Sequence, residues 1–154
     1  MNRFIIVIGI AFLFCFPAEG SAFVCYVTST PVNFNTYDVF SPVPSDSAGS
    51  ITITCNNPDK KTFPITISIS SGNAGIFTPR KMSQATGPDR MQYNLFIDPS
   101  RMTIWGDGTG STSVVTENIS RDVVLNEPIY GRIPAQQNLR VGTYGDTLIV
   151  TVAW

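Results

Sequence analysis

Apolar residues recur at every second position in four separate runs of this chain. The runs are Ile51, Ile53 and Cys55; Ile65, Ile67 and Ile69; Tyr93, Leu95 and Ile97; and Leu148, Val150, Val152 and Trp154. Between residues 23 and 154 apolar residues never hold helical spacing for ten residues or more. A period of two sends alternate side chains to opposite faces, so each run predicts a strand with one buried face. Further short strands are expected over Phe23–Thr28, around Val32-Asn33-Phe34 beyond Pro31, over Met102–Trp105, over Asn118–Leu125 and over Ile129–Ile133. Residues 41–49 hold Pro42 and Pro44 and predict a loop, 56–61 a turn, Gly72–Gly75 a turn, and Arg80–Arg90 a polar connection containing Met82. Many short strands split by turn residues give an all-β sandwich.

The first residues read as an address. Arg3 supplies a short positive segment, Phe4–Phe16 an apolar run, and Pro17-Ala18-Glu19-Gly20-Ser21-Ala22 the small residues of a cleavage site. A spanning helix needs about 20 apolar residues, so an export leader is expected in place of an anchor. The organisation is then 1–22 signal peptide and 23–154 one domain, with cleavage after Ala22 and Gly20 as the second choice. Cys15 follows Phe14, where a lipid-attachment motif needs a small residue, so no lipoprotein is read. The expected destination is the periplasm and then the cell surface or the medium. Loss of the leader leaves Cys25 and Cys55, which an oxidising compartment joins as a disulfide; two free thiols are the alternative.

Composition narrows the chemistry. Net charge is −1 and charged residues make up 14% of 154, which gives a nucleic acid nothing to grip. Histidine is absent, removing the commonest general base and metal ligand. No enzyme, cofactor or metal is expected. Asp107 between Gly106 and Gly108 offers one carboxylate where calcium needs several oxygens, so a tight turn is the expectation. Trp105 is expected to pack inward; a sugar platform is the alternative.

The sequence closes on its last alternating run, so that strand is expected to sit at an unfinished sheet edge. An exposed apolar edge needs a cover. Either another chain supplies it, or an earlier segment such as Phe23–Thr28 does.

A set of segments in fixed order carries a resemblance. They are Asn33-Phe34-Asn35-Thr36-Tyr37, Gly49-Ser50-Ile51-Thr52-Ile53-Thr54-Cys55, Tyr93-Asn94-Leu95-Phe96-Ile97-Asp98, Trp105-Gly106-Asp107-Gly108-Thr109, Tyr130-Gly131-Arg132-Ile133-Pro134-Ala135-Gln136 and Gly142-Thr143-Tyr144-Gly145-Asp146-Thr147. Together they resemble the spore coat protein U domain, also found in subunits of archaic chaperone–usher pili. The resemblance implies an immunoglobulin-like sandwich lacking its final strand. It also implies partners: a periplasmic chaperone lending a strand, a neighbouring subunit replacing it, and an outer-membrane usher where the exchange happens. Leu148, Val150, Val152 and Trp154 are then the expected face of the acceptor groove.

One departure stands out. A donating subunit needs an N-terminal extension of roughly ten alternating residues. Cleavage after Ala22 leaves Phe23 and Val24 ahead of Cys25, so this subunit is expected to accept a strand without donating one, as at the end of a fibre. Phe40, Ile76 and Phe77 lie in loops outside the alternating runs and are candidate contacts to an abiotic or host surface in adhesion and biofilm formation. The alternative has Phe40 and Phe77 tucked into the core. A self-complete secreted coat or ligand-binding domain is the rival to the fibre subunit.

Overall fold

The computed structural model describes residues 22–154; the leader, Cys15 included, lies outside the described residues except for Ala22. Those residues form nine strands and no helix. They are β1 (Val24–Thr30), β2 (Ser45–Asn56), β3 (Phe63–Ile69), β4 (Arg80–Gln84), β5 (Arg90–Phe96), β6 (Val115–Ile119), β7 (Val123–Ile133), β8 (Tyr144–Gly145) and β9 (Val150–Ala153). One sheet has the order β1-β2-β7-β5-β4-β8 and the other β6-β3-β9, with every ladder antiparallel. The alternating runs meet between the sheets. Ile51, Ile53 and Cys55 face Ile65, Ile67 and Ile69, with Tyr93, Leu95, Ile129 and Ile133 beside them, all buried. Trp105 is fully buried as expected, its indole N–H donating to Ile67 O at 3.1 Å. This is the all-β sandwich that the alternation predicts, of the immunoglobulin-like kind that the resemblance implies.

Cys25 lies directly opposite Cys55 in the β1–β2 register, and the two are joined by a disulfide. At the same end of the sandwich Phe23 stacks on Phe63 at 4.7 Å and meets the Trp154 ring edge-on at 5.6 Å.

Beyond Thr30 the chain leaves the sheet. Proline has no N–H for the ladder, so pairing stops at Thr30↔Ser50 and Pro31 lifts away. The next residues cross the inner face of the same sheet, where two glycines make room. A Cβ on Gly49 would lie 2.5 Å from Thr30 O, and one on Gly131 would lie 2.6 Å from both Val32 Cγ1 and Phe34 Cζ. Ser47 donates to Asn33 O at 2.6 Å, and Phe34 reaches the Tyr93 ring edge-on at 6.4 Å. The Tyr37 hydroxyl then donates to Pro134 O and accepts from Gln137 N, fixing the segment at the far end of β7.

Several expectations need correction. Residues 45–49 belong to β2, not to a loop; their inward positions are Ser45, Ser47 and Gly49, small because the chain's own backbone covers them. Val32–Phe34 pairs with no strand for the same reason. Arg80–Gln84 is a strand whose inward row, Arg80, Met82 and Gln84, is too polar to read as one. The strand expected over 118–125 is β6 and β7 divided by Ser120-Arg121-Asp122, across which Ile119, Val123 and Leu125 stay in phase. Met102–Trp105 makes only isolated bridges. The closing run changes sheets: Tyr144-Gly145 pairs with β4 and Val150–Ala153 with β3.

Two stability predictions follow from these contacts. The disulfide spans a sequence separation of 30, and the chain-entropy relation gives roughly 3–4 kcal/mol for a loop of that size. Replacing both cysteines by serine should lower the unfolding free energy measured by urea titration by that amount, and an unchanged value would show β1 held by other means. Gly131→Val should destabilise by about 1–3 kcal/mol through overpacking against Val32 and Phe34. Serine at exposed Val43 serves as the neutral control in the same titration.

Candidate functional site

β9 is a sheet edge. It pairs with β3 through Val150↔Ile69 to Ala153↔Thr66, and among the described residues no strand pairs with its other side. Along that side runs a cleft of about 1040 Å³. Residues 29–40 form one wall and Tyr144–Asp146, Leu148 and Val150 the other, while Met82, Met91, Tyr93, Leu95, Ile129 and Ile133 make the floor. The walls are hydrogen-bonding backbone and the floor is largely apolar. Val27 and Ser29 show how far the core lies uncovered. They pair with fully buried Ile53 and Ile51, yet both are exposed.

The structure divides the residues expected to line a groove. Leu148 and Val150 are half-buried and line the cleft. Val152 is half-buried on the same strand face but lies past the cleft's end. Trp154 lies past it too, 59% exposed, because its ring turns to Phe23. Of the loop residues, Phe40 is 86% exposed and sits on the cleft wall, and Ile76 is exposed on the β3–β4 loop. Phe77 is half-buried, its ring 5.0 Å from the Arg80 guanidinium. Phe40 lines the cleft, and Ile76 and Phe77 do not.

A polar cluster positions the walls. Arg80 is fully buried and donates to Trp105 O at 2.6 Å, Asn94 Oδ1 at 2.8 Å and Ser70 O at 3.0 Å. No carboxylate pairs with it, and burial pushes its pKa down. Ser70 in turn holds the approach to β9: its N–H donates to Ile149 O and its hydroxyl accepts from Ile149 N, both at 2.9 Å. Next to it the Tyr93 hydroxyl donates to Asp146 Oδ2 at 2.7 Å, and Asp146 Oδ1 accepts from Asn73 N and Thr147 N. Burial, and then the hydrogen bond to Asp146, push the Tyr93 phenol up, so it stays a donor. Gly72, at φ +77, leaves room for that carboxylate.

Sequence reasoning missed Arg80, Asp146 and the 31–37 segment. The usable signal was Gly49 and Gly131, each at an inward position of an alternating strand, where glycine marks the close approach of another backbone. Asp107 has the turn role expected of it: its Oδ1 accepts from Thr109 N at 2.9 Å and Thr109 Oγ1 at 2.6 Å.

Comparison with known proteins agrees with this architecture. The sequence profile of the Spore Coat Protein U domain matches residues 19–151. Protein U of Myxococcus xanthus is 28% identical over 133 residues, covering 80% of this chain and 71% of that protein. Among solved structures, a chain of the CsuC–CsuE chaperone–tip adhesion subunit pre-assembly complex, from the archaic chaperone–usher Csu pili of Acinetobacter baumannii, superposes with a TM-score of 0.59 at 23% identity. That match covers 86% of this chain and 40% of the other, so the present chain spans well under half of its length. The likeness is one of fold. With the profile matched across nearly all of the described residues, the chain belongs to the Spore Coat Protein U domain family, which is structural and not enzymatic.

Proposed function

We propose that the protein is an exported subunit of a chaperone–usher fibre, completed by a strand that another polypeptide lays into the cleft beside β9. The observation that carries this is the free β9 edge facing a wall, residues 31–37, that also belongs to no ladder. An inserted strand gains main-chain hydrogen bonds from β9, and its alternate side chains fill the apolar floor. Three or four such side chains, at about 1.5–3 kcal/mol each, supply on the order of 5–10 kcal/mol. A periplasmic chaperone would lend the strand first and a neighbouring subunit would replace it at the outer-membrane usher. The pilus origin of the superposed complex supports this reading.

The position at the end of a fibre rests on how the first residues are used. Phe23 is packed on Phe63 and Trp154, and residues 24–30 are committed to β1. With the leader cut after Ala22, none of these is free to leave the fold as a donor. Attachment to surfaces, and through it biofilm formation, would then fall to loops, of which Ile76 stays exposed and Phe77 does not.

The test compares residues 23–154 alone with the same domain carrying, after Trp154, a flexible turn and an alternating apolar strand. The fusion should melt on the order of 15 °C higher or more. Leu148→Asp should destabilise the fusion more than the bare domain and so remove most of that gain. Equal melting of two monomeric forms would mean the sandwich is self-complete, and the coat or ligand-binding reading would replace this one.

A further inference from the structure

The ladders fix which end of the cleft is open. β9 runs from Val150, opposite Ile69, toward Ala153 and then Trp154, and there Phe23, Phe63 and Trp154 pack together. That end is filled. At the other end stand the 31–44 connection and the link from β7 to β8. Tyr37 is tied to Pro134 there, and Arg140 N donates to Asp89 Oδ2 at 2.8 Å. On these two loops Phe40 is 86% exposed and Val141 is fully exposed, and both line the cleft. Neither belongs to the core cluster or packs against it.

We infer that Phe40 and Val141, at the open mouth of the cleft, form a docking surface for the folded body of the subunit that donates the strand. The inference rests on the function proposed above. A tight turn from Trp154 can skirt the aromatic cluster, but a whole domain has no room there, so a strand from another subunit joins its parent domain at the open end. The parent domain must therefore sit against the loops carrying Phe40 and Val141. Their neighbours suit such a contact: Asp38 accepts from Phe40 N, and Arg140, next to Val141, pairs with Asp89 at 4.0 Å, so polar groups accompany the two apolar side chains, as in a protein interface. Phe40 is thereby assigned to a subunit contact and not to a foreign surface.

The test uses the full chain in its native host, with p-benzoylphenylalanine placed in turn at Leu148, Val141 and Tyr26, followed by irradiation and mapping of the cross-linked peptides. Leu148 should link to an alternating apolar segment of a second polypeptide. Val141 should link to the same polypeptide outside that segment, and Tyr26, exposed on the outer face of β1, to neither. The double variant F40S/V141S should speed release of the donor subunit about tenfold or more. If Leu148 links as stated but Val141 reaches only the strand, its own chain or nothing, the docking surface is wrong and the strand-accepting function stands. If Leu148 reaches no second polypeptide, both fall.

Discussion

The passage of residues 30–34 over Gly49 and Gly131 decides the rest of this structure. Had either inward position carried a side chain, the chain beyond Pro31 would be pushed off the inner face of β2 and β7. The six-stranded sheet would then lack the cover it now has there, and the cleft would lose one wall. With the glycines in place, the sheet's inner face is covered from two directions, by β3 and β9 on one side and by the chain's own 31–37 segment on the other. A strip between them stays open. Its width is set by the fold and its exposure is visible in Val27 and Ser29, whose register partners are fully buried.

Polar contacts hold the borders of that strip, and its floor is left to apolar side chains. Arg80 spends its guanidinium on carbonyls and an amide oxygen, and those acceptors lie on the ends of β3, β5 and the segment before Gly106. A buried cation without a carboxylate is costly unless its donors are satisfied, and truncating it would leave several buried acceptors unpaired. Through Ser70 the same cluster fixes Ile149, and through Tyr93 and Asp146 it fixes the turn ahead of Leu148. The β9 edge is therefore held in place before any strand arrives, which lowers the ordering cost of binding one.

The sandwich and its central strands were legible because alternation and burial coincide at Ile51–Cys55, Ile65–Ile69 and Tyr93–Leu95. The pairing of Cys25 with Cys55 was legible from compartment and count. Where the inner face is lined by something other than apolar side chains, the pattern failed. Ser45, Ser47 and Gly49 face the chain's own backbone, and Arg80 and Gln84 face carbonyls, so both stretches looked like loops. At the site, Leu148 and Val150 could be placed by phase alone. Trp154 shares that phase, but alternation says nothing about where a ladder stops, and its ring turned to Phe23. In residues 31–37 only Val32 and Phe34 alternate, too short a run to tell a covering segment from a strand; the paired glycines are the feature that marks the close approach.

The treatment of the sheet edges bears on whether the cleft is meant to be filled. An open edge invites pairing with other chains, and inward-pointing charges are one way folds discourage it. The β6 edge has this protection: Glu117 alternates in phase with buried Ile119, and burial together with Glu117 holds the Glu127 carboxyl on β7 above its ordinary pKa. The β8 edge is only two residues long. By contrast β9 carries Val150, Thr151, Val152 and Ala153, and β1 from Tyr26 to Thr30 carries no charge and no proline. The two unprotected edges are the ones beside the uncovered strip of core. A sequence that guards its edges elsewhere and leaves these bare supports the proposal that this side is occupied, since an added strand would satisfy backbone and floor together.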